Sequence, residues 1–239
     1  MTVSDSSAPP CWDRTVGSIA FFDFDGTLIR HDSGVVVALP SARRGLLGPR
    51  IFAELVATWL LSKVGLRTRR DAMRVGFRCY AGRTLADLRA IVDELYDRYL
   101  KPDLSPAATA RVRAHRAAGD RLVILTASAF FLAEPVARDL GFDEVVGTRL
   151  HFAGERCTGA VDGEIVDGTV KLAAARSIAE RSGVDLSRCT FYSDHHADLP
   201  LLEAVGTPVA VSPNRALHRI ARERGYHVLP HEEAPVTAR

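Results

Sequence analysis

The chain has 239 residues, 47% hydrophobic and 25% charged, which suits one globular core with a smaller insert. A net charge of +2 gives no whole-molecule attraction to nucleic acid. Four cysteines without a C-x-x-C speak against a disulfide framework or a zinc knuckle, and fit a reducing cytoplasm. The charge is uneven: residues 31–118 hold 16 Lys/Arg against 8 Asp/Glu, and the remainder 15 against 21. A basic module beside an acidic one draws anions into the space between them, although arginine-rich solvated helix faces give the same count.

Residues 1–17 lack a basic start followed by an apolar run, and are expected to form a flexible tail rather than a signal peptide. SIAFFDFD (18–25) is an apolar run ending in acid, as a buried strand entering a loop would be. IFAELVATWLLSKVGL (51–66) is the most apolar stretch, but it is too short and too charged to span a membrane. It reads as a buried or surface-lying amphipathic helix, compatible with peripheral membrane contact. TLADLRAIVDELYDRYL follows as a helix capped by Thr84 with Asp87 three residues on, and SPAATARVRAHRAAG as one capped by Ser105 and stopped at Gly119.

After Gly119 the pattern changes. RLVILTAS (121–128) reads as a buried strand, FFLAEPVARDLG as a helix and EVVGT as a strand. Residues 149–168 suggest a β-hairpin, and TVKLAAARSIAERSG a helix with Thr169 as its cap. CTFYSD (189–194) is a further strand, and ADLPLLEAVG, PVAVS, NRALHRIARERG and YHVL alternate helix with strand. The alternation predicts an α/β fold: a doubly wound parallel sheet of residues 18–30 and 119–239, with an all-helical cap inserted over 31–118. Ligands of such sheets sit at the carboxyl ends of the strands. Asp23 and Asp25, Thr126 and Ser128, and Asp194 with Asp198 all fall at that edge.

DFDGT sets two carboxylates two residues apart, and Gly26 permits a tight turn after them. So close a pair repels unless a cation joins it or one member takes a proton, an arrangement suited to a nucleophile beside a general acid/base. SDHHADLP (193–200) offers both carboxylates and imidazoles. Consecutive histidines diverge and no nitrogen or sulfur partner is evident, so the carboxylates are the expected ligands of a hard cation and His195 and His196 are loop residues. The cluster Arg67–Arg70 could steer phosphate or belong to a solvated face; with no nucleic-acid-reading motif beside it, nucleic acid is not an expected partner.

FFDFDGTLI resembles the first motif of the haloacid-dehalogenase-like superfamily. VILTAS resembles its second motif, Lys171 in TVKLAAA suits its third, and SDHHADLP its fourth, all in the family's order. The helical insert is similar to the cap of the phosphoserine-phosphatase subgroup, subfamily IB. The resemblance implies a Mg²⁺-dependent phosphomonoester hydrolase acting on a small-molecule phosphate ester. Asp23 would be the nucleophile, Asp25 the general acid/base, Thr126 a phosphoryl contact and Lys171 a charge neutraliser. Asp23, Asp25 through its carbonyl, and Asp194 would ligate Mg²⁺, with Asp198 in support. Asp32, Gly26, Ser128 and Arg78 would face the substrate; Asp32 replaces the subgroup's glutamate and Gly26 its serine, which weakens the case for L-phosphoserine itself. A phosphotransferase using the same aspartyl-phosphate, and a non-catalytic binding protein of this fold, are the competing readings. A monomer or a homodimer is expected.

Overall fold

A computed structural model of the chain describes residues 17–34, 36, 48–63, 66 and 68–232. Apart from Gly17, the expected tail lies outside these residues, as does Arg67.

Six strands form one parallel sheet: β1 (Ile19–Phe22), β2 (Arg121–Ala129), β3 (Glu144–Thr148), and, after a hairpin of β4 (Leu150–Ala153) and β5 (Arg156–Val161), β6 (Thr190–Ser193), β7 (Thr207–Val211) and β8 (His227–Leu229). Their order is β3-β2-β1-β6-β7-β8. The chain moves outward from β1 through β2 and β3, then returns to the other side of β1 and moves outward again. The switch point therefore lies between β1 and β6, where Phe22 pairs with Tyr192. Ligands of doubly wound sheets bind in the crevice beyond this point.

The apolar runs explain why these segments are central strands. Both faces of β1 are covered: Ala20 and Phe22 enter one core, Ile19 and Phe21 the other. In β2, Leu122 and Ile124 join the first core, and Val123 and Leu125 the second.

The insert carries α1 (Pro49–Lys63), α2 (Arg69–Phe77) and α3 (Leu85–Leu95). Among the described residues no helix is long and apolar enough to cross a membrane. Thr68 and Thr84 each close a capping box, with Asp71 and Asp87 respectively. Helix α3 stops short of the expected end, and Tyr96–Leu100 continue as a wider helical turn. The last helix of the expected insert, α4 (Pro106–Ala117), packs on β2 and places Ala107, Ala108 and Val112 in the same core as Ala20 and Phe22. It is the crossover helix that returns the chain to the sheet. Leu88, Val92 and Leu95 of α3 extend that core into the cap. They lie over α5 (Phe130–Leu140), where Arg89 binds Glu134 at 2.6 and 2.7 Å.

On the opposite face lie α6 (Thr169–Arg181) and α8 (Arg215–Arg224), with the single turn α7 (Leu199–Leu202) between them in sequence. Two local expectations change. Thr169 is the first residue of α6 rather than its cap; Gly168, at φ +58°, holds the cap position without a side-chain bond. The helix expected from ADLPLLEAVG contracts to α7, because Ala197 and Asp198 are taken up in a tight turn that points Asp198 inward.

Candidate active site

The site begins where β1 ends. The Asp23 N–H still donates to the Tyr192 carbonyl, at 2.9 Å, so its backbone is fixed by the sheet. Asp23 Oδ1 accepts from the Phe24 N–H at 2.7 Å and faces Lys171 Nζ at 2.8 Å. The chain then turns at Gly26, with φ +70°. A Cβ there would meet Asp194 Oδ2 at 2.5 Å, so both the left-handed backbone and the close approach of the β6 loop require glycine.

Lys171 sits in the first turn of α6, where a cation opposes the helix dipole, and it is only 1% exposed. What holds it there is a pair of carboxylates: Nζ lies 2.8 Å from Asp23 Oδ1 and 2.8 Å from Asp198 Oδ2. Burial works to lower the Lys171 ammonium, but Asp198 and Asp23 outweigh it and raise its pKa above the ordinary lysine value. Burial also works to raise Asp198, yet Lys171 and the Ser193 hydroxyl, at 2.7 Å, hold its carboxyl below the usual range. For Asp23 burial prevails, and its pKa lies well above the usual value despite Lys171.

Asp25 is fixed from two sides. The Ser33 N–H donates to Oδ1 and the Ser128 hydroxyl to Oδ2, both at 2.5 Å. The serines belong to the linker into the cap and to the end of β2, so one carboxyl joins both. Thr126 is fully buried and its Oγ1 accepts from the Ser128 N–H at 3.0 Å. The β2–β3 register shifts between Thr126 and Ala129, so the ladder opens where these hydroxyls stand.

The loop after β6 supplies the remaining acids. The Asp194 carbonyl accepts from the Asn214 N–H at 2.8 Å, and burial holds the Asp194 carboxyl up at about 6. Asp194 Oδ1 and Asp198 Oδ1 are buried without a hydrogen-bond partner. Orphaned carboxylate oxygens beside a cradle that tolerates no Cβ fit a hard cation taking oxygen ligands. Among the described residues no three His, Cys, Asp or Glu side chains form a metal-binding cluster by themselves. A cation here would rely on Asp23 and Asp194 together with the Asp25 carbonyl, phosphate and water. The imidazoles are otherwise occupied. His195 Nδ1 accepts from the Ala197 N–H at 3.1 Å, and Asn214 Nδ2 donates to His196 Nδ1 at 3.1 Å. Burial pushes His195 down to about 4.

The structure thus brings Asp23, Asp25, Gly26, Thr126, Ser128, Lys171, Asp194 and Asp198 to one edge. Arg78 stands apart. It faces α1, and its Nη1 reaches both Glu54 carboxylate oxygens at 2.7 Å, beside the similarly placed Arg74 in a cap pocket of about 400 Å³. The sequence expects Arg78 at the substrate; the contact it makes here is to Glu54. Asp32 is exposed in the linker just before Ser33, and its charge is felt by the partly buried Tyr80. Sequence reasoning missed Ser33, Asp167 and Ser193 and did not separate Arg69 and Arg70 from their basic cluster. Asp167 is buried just before Gly168, and Arg70 donates to its carbonyl at 3.3 Å.

The chain is similar to known proteins over most of its length. A family model described as haloacid dehalogenase-like hydrolase matches residues 20–203. Over 232 residues the chain is 34% identical to a phosphoserine phosphatase of Mycobacterium tuberculosis, covering 95% of this chain and 75% of that one. It is 28% identical to a histidinol-phosphatase of Neisseria meningitidis over 218 residues, covering 89% and 98% respectively. A crystal structure of a Bordetella pertussis protein with unknown function superposes with a TM-score of 0.82 at 30% identity, covering 91% of this chain and all of the other. The match runs from β1 to the loop after β6 and so includes every strand end that bears an acid or hydroxyl of the site; the chain belongs to the haloacid dehalogenase-like hydrolases.

Proposed function

We propose that the protein is a Mg²⁺-dependent phosphomonoesterase acting on a small phosphorylated metabolite through an aspartyl-phosphate. The observation that carries this reading is the buried Asp23–Lys171–Asp198 array beside an Asp25 held by Ser33 and Ser128. Two acids with different surroundings divide into nucleophile and general acid/base.

In the first step an Asp23 oxygen attacks phosphorus, the bond to the leaving alkoxide breaks, and Asp25 gives that oxygen its proton. In the second, Asp25, now a carboxylate, takes a proton from water as the water oxygen attacks phosphorus. The bond to Asp23 breaks, orthophosphate leaves, and both acids return to their starting states. Lys171 offsets charge on Asp23 and on the phosphoryl oxygens, and the Thr126 hydroxyl would donate to one of them. Mg²⁺, when bound, supplies positive charge to the phosphoryl oxygens; Asp23, Asp194 and the Asp25 carbonyl would hold it, with Asp198 supporting Lys171.

The names of the phosphoserine and histidinol-phosphate relatives support a phosphorylated amino alcohol as substrate class. The free cysteines among the described residues, Cys79, Cys157 and Cys189, fit a cytoplasmic setting. Asp23→Asn is expected to reduce aryl phosphate hydrolysis to background while the circular dichroism spectrum is retained, and EDTA to do the same to the unmodified protein. Undiminished turnover in Asp23→Asn would refute the reading.

A further inference from the structure

Ser128 is expected at the substrate by sequence, but in the structure its hydroxyl donates to the Asp25 carboxyl. The neighbouring strand explains why it points there. Along β2, Leu122 and Ile124 enter the first core and Val123 and Leu125 the second, a strict alternation. Thr126 then pairs with Gly147 of β3 and Ala129 with Thr148, so Ala127 and Ser128 have no residue opposite them. This bulge reverses the phase: Ala127 and Ala129 now enter the first core, and Ser128 is turned away from it toward Asp25. Two residues of β3 maintain the bulge. Thr148, fully buried, donates its hydroxyl to the Ala127 carbonyl at 2.7 Å and accepts from the Val166 N–H at 3.1 Å. Gly147 leaves room for the chain to double back, since a Cβ there would meet the Phe130 Cα at 2.7 Å.

Ser128 is itself held. Its N–H donates to Thr126 Oγ1 at 3.0 Å, and its Oγ lies 3.3 Å from Ser33 Oγ. Asp25, Ser33 and Ser128 are all buried, so no water stands ready to replace a lost hydroxyl. With the Ser33 N–H on Oδ1 and the Ser128 hydroxyl on Oδ2, the plane of the Asp25 carboxyl is set at both ends. A carboxyl oxygen keeps a lone pair for the Ser128 hydrogen whether or not the acid carries a proton. The tether therefore persists through both steps of the reaction.

Resting on the phosphomonoesterase reading, we propose that Ser128 is a positioning residue for Asp25: its hydroxyl aims the acid at the leaving oxygen and so fits the site to unactivated alkyl phosphates. A nitrophenolate leaves as a stable anion, whereas an alkoxide leaves only as its proton arrives. The worth of a well-aimed acid therefore grows with the basicity of the leaving oxygen. Thr148 acts one step further out, by keeping Ser128 in the bulge.

The test compares Ser128→Ala and Ser128→Thr with the unmodified protein, with Mg²⁺ present. The substrates are p-nitrophenyl phosphate, phenyl phosphate and O-phosphoethanolamine, in order of increasing basicity of the leaving oxygen. The readout is kcat/KM, which covers the steps up to the aspartyl-phosphate, where Asp25 acts as an acid. Ser128→Ala is expected to lower it by about a hundredfold on O-phosphoethanolamine and about tenfold on p-nitrophenyl phosphate, with phenyl phosphate between them. Ser128→Thr keeps the hydroxyl and should recover most of the loss on O-phosphoethanolamine. An equal loss on all three esters would overturn the proposal, because a phosphoryl contact or a purely structural role does not depend on the leaving group. So would an undiminished rate on O-phosphoethanolamine. An unmodified protein that cleaves p-nitrophenyl phosphate but neither of the other esters would overturn the proposal and leave the phosphatase reading standing. One that turns over no phosphate ester at all would overturn the phosphatase reading, and this proposal with it.

Discussion

The sheet edge and the cap both use arginine, lysine and acid pairs, but in opposite settings. At the edge, Lys171 is 1% exposed between two aspartates of 4% and 1% exposure. In the cap, Arg78–Glu54 lies open to water, as does Arg138–Asp93 between the cap and α5. Water screens the second kind of pair and leaves each partner solvated when the other is lost. The first kind has no such fallback, so each charge depends on its neighbours. The difference teaches where the reactive potential resides: it follows burial, and residue type alone does not locate it.

The sharpest way to break this contrast is Lys171→Met. It leaves Asp23 and Asp198 buried without their cation, and the expected loss of stability is about 3–5 kcal/mol. Turnover should fall by about a thousandfold or more, since charge on the phosphoryl group is then unopposed at that side. Urea unfolding and aryl phosphate kinetics measure both. Adding Asp198→Asn should return part of the stability, because a neutral amide needs no counter-charge, and should return none of the turnover. A single variant as stable as the parent would show that the buried array behaves like a surface pair.

Much of the edge was legible because its determinants are local. A continuous apolar run marks each buried strand, and Asp23, Asp25, Thr126 and Asp194 each lie within a few residues of the end of one. Lys171 was legible through its family motif, while its burial came from the packing of Asp198. Ser33 escaped notice because its contribution is a backbone N–H, which carries no sequence signal. Asp167 and Arg70 meet across the cap boundary, and their contact depends on how the insert folds back over the sheet. The same cause moved Arg78: it and Arg74 both suit a substrate role by composition, and only the packing of α1 on α2 assigns Arg78 to Glu54. Pro106–Ala117 falls within the insert by sequence because a crossover helix and a cap helix have the same periodicity, and its packing on β2 is visible only in the fold.

Gly26→Ala tests the edge from its backbone. The left-handed φ costs an alanine about 1–2 kcal/mol, and the added Cβ meets Asp194 Oδ2 at 2.5 Å. Backbone and carboxylate must then move apart, which spreads the oxygen donors. The expected result is a loss of Mg²⁺ affinity of about tenfold or more with a smaller loss of saturated kcat, read from activity as a function of Mg²⁺ concentration. Unchanged Mg²⁺ dependence would mean that Asp194 and the Gly26 turn do not share a ligand.

The smallest effect is expected in the cap. Arg78→Ala removes a contact in which Nη1 reaches both Glu54 carboxylate oxygens at 2.7 Å, a distance that alone would suggest a strong interaction. Both partners remain substantially solvated, so the expected destabilisation is below about 1 kcal/mol, and added salt should reduce even that. Catalysis should be unaffected, because the Arg78 guanidinium is committed to Glu54 on the α1 side and is absent from the contacts of Asp23, Asp25 and Asp194. The measurements are thermal unfolding at low and high salt and kcat/KM on p-nitrophenyl phosphate. A hundredfold fall in kcat/KM with unchanged stability would place Arg78 at the substrate after all, through a cap movement that exchanges Glu54 for an anion. An unfolding change of several kcal/mol would instead mean that the Arg78–Glu54 pair holds the cap together as Lys171 holds the edge, and the distinction between the two regions would fail.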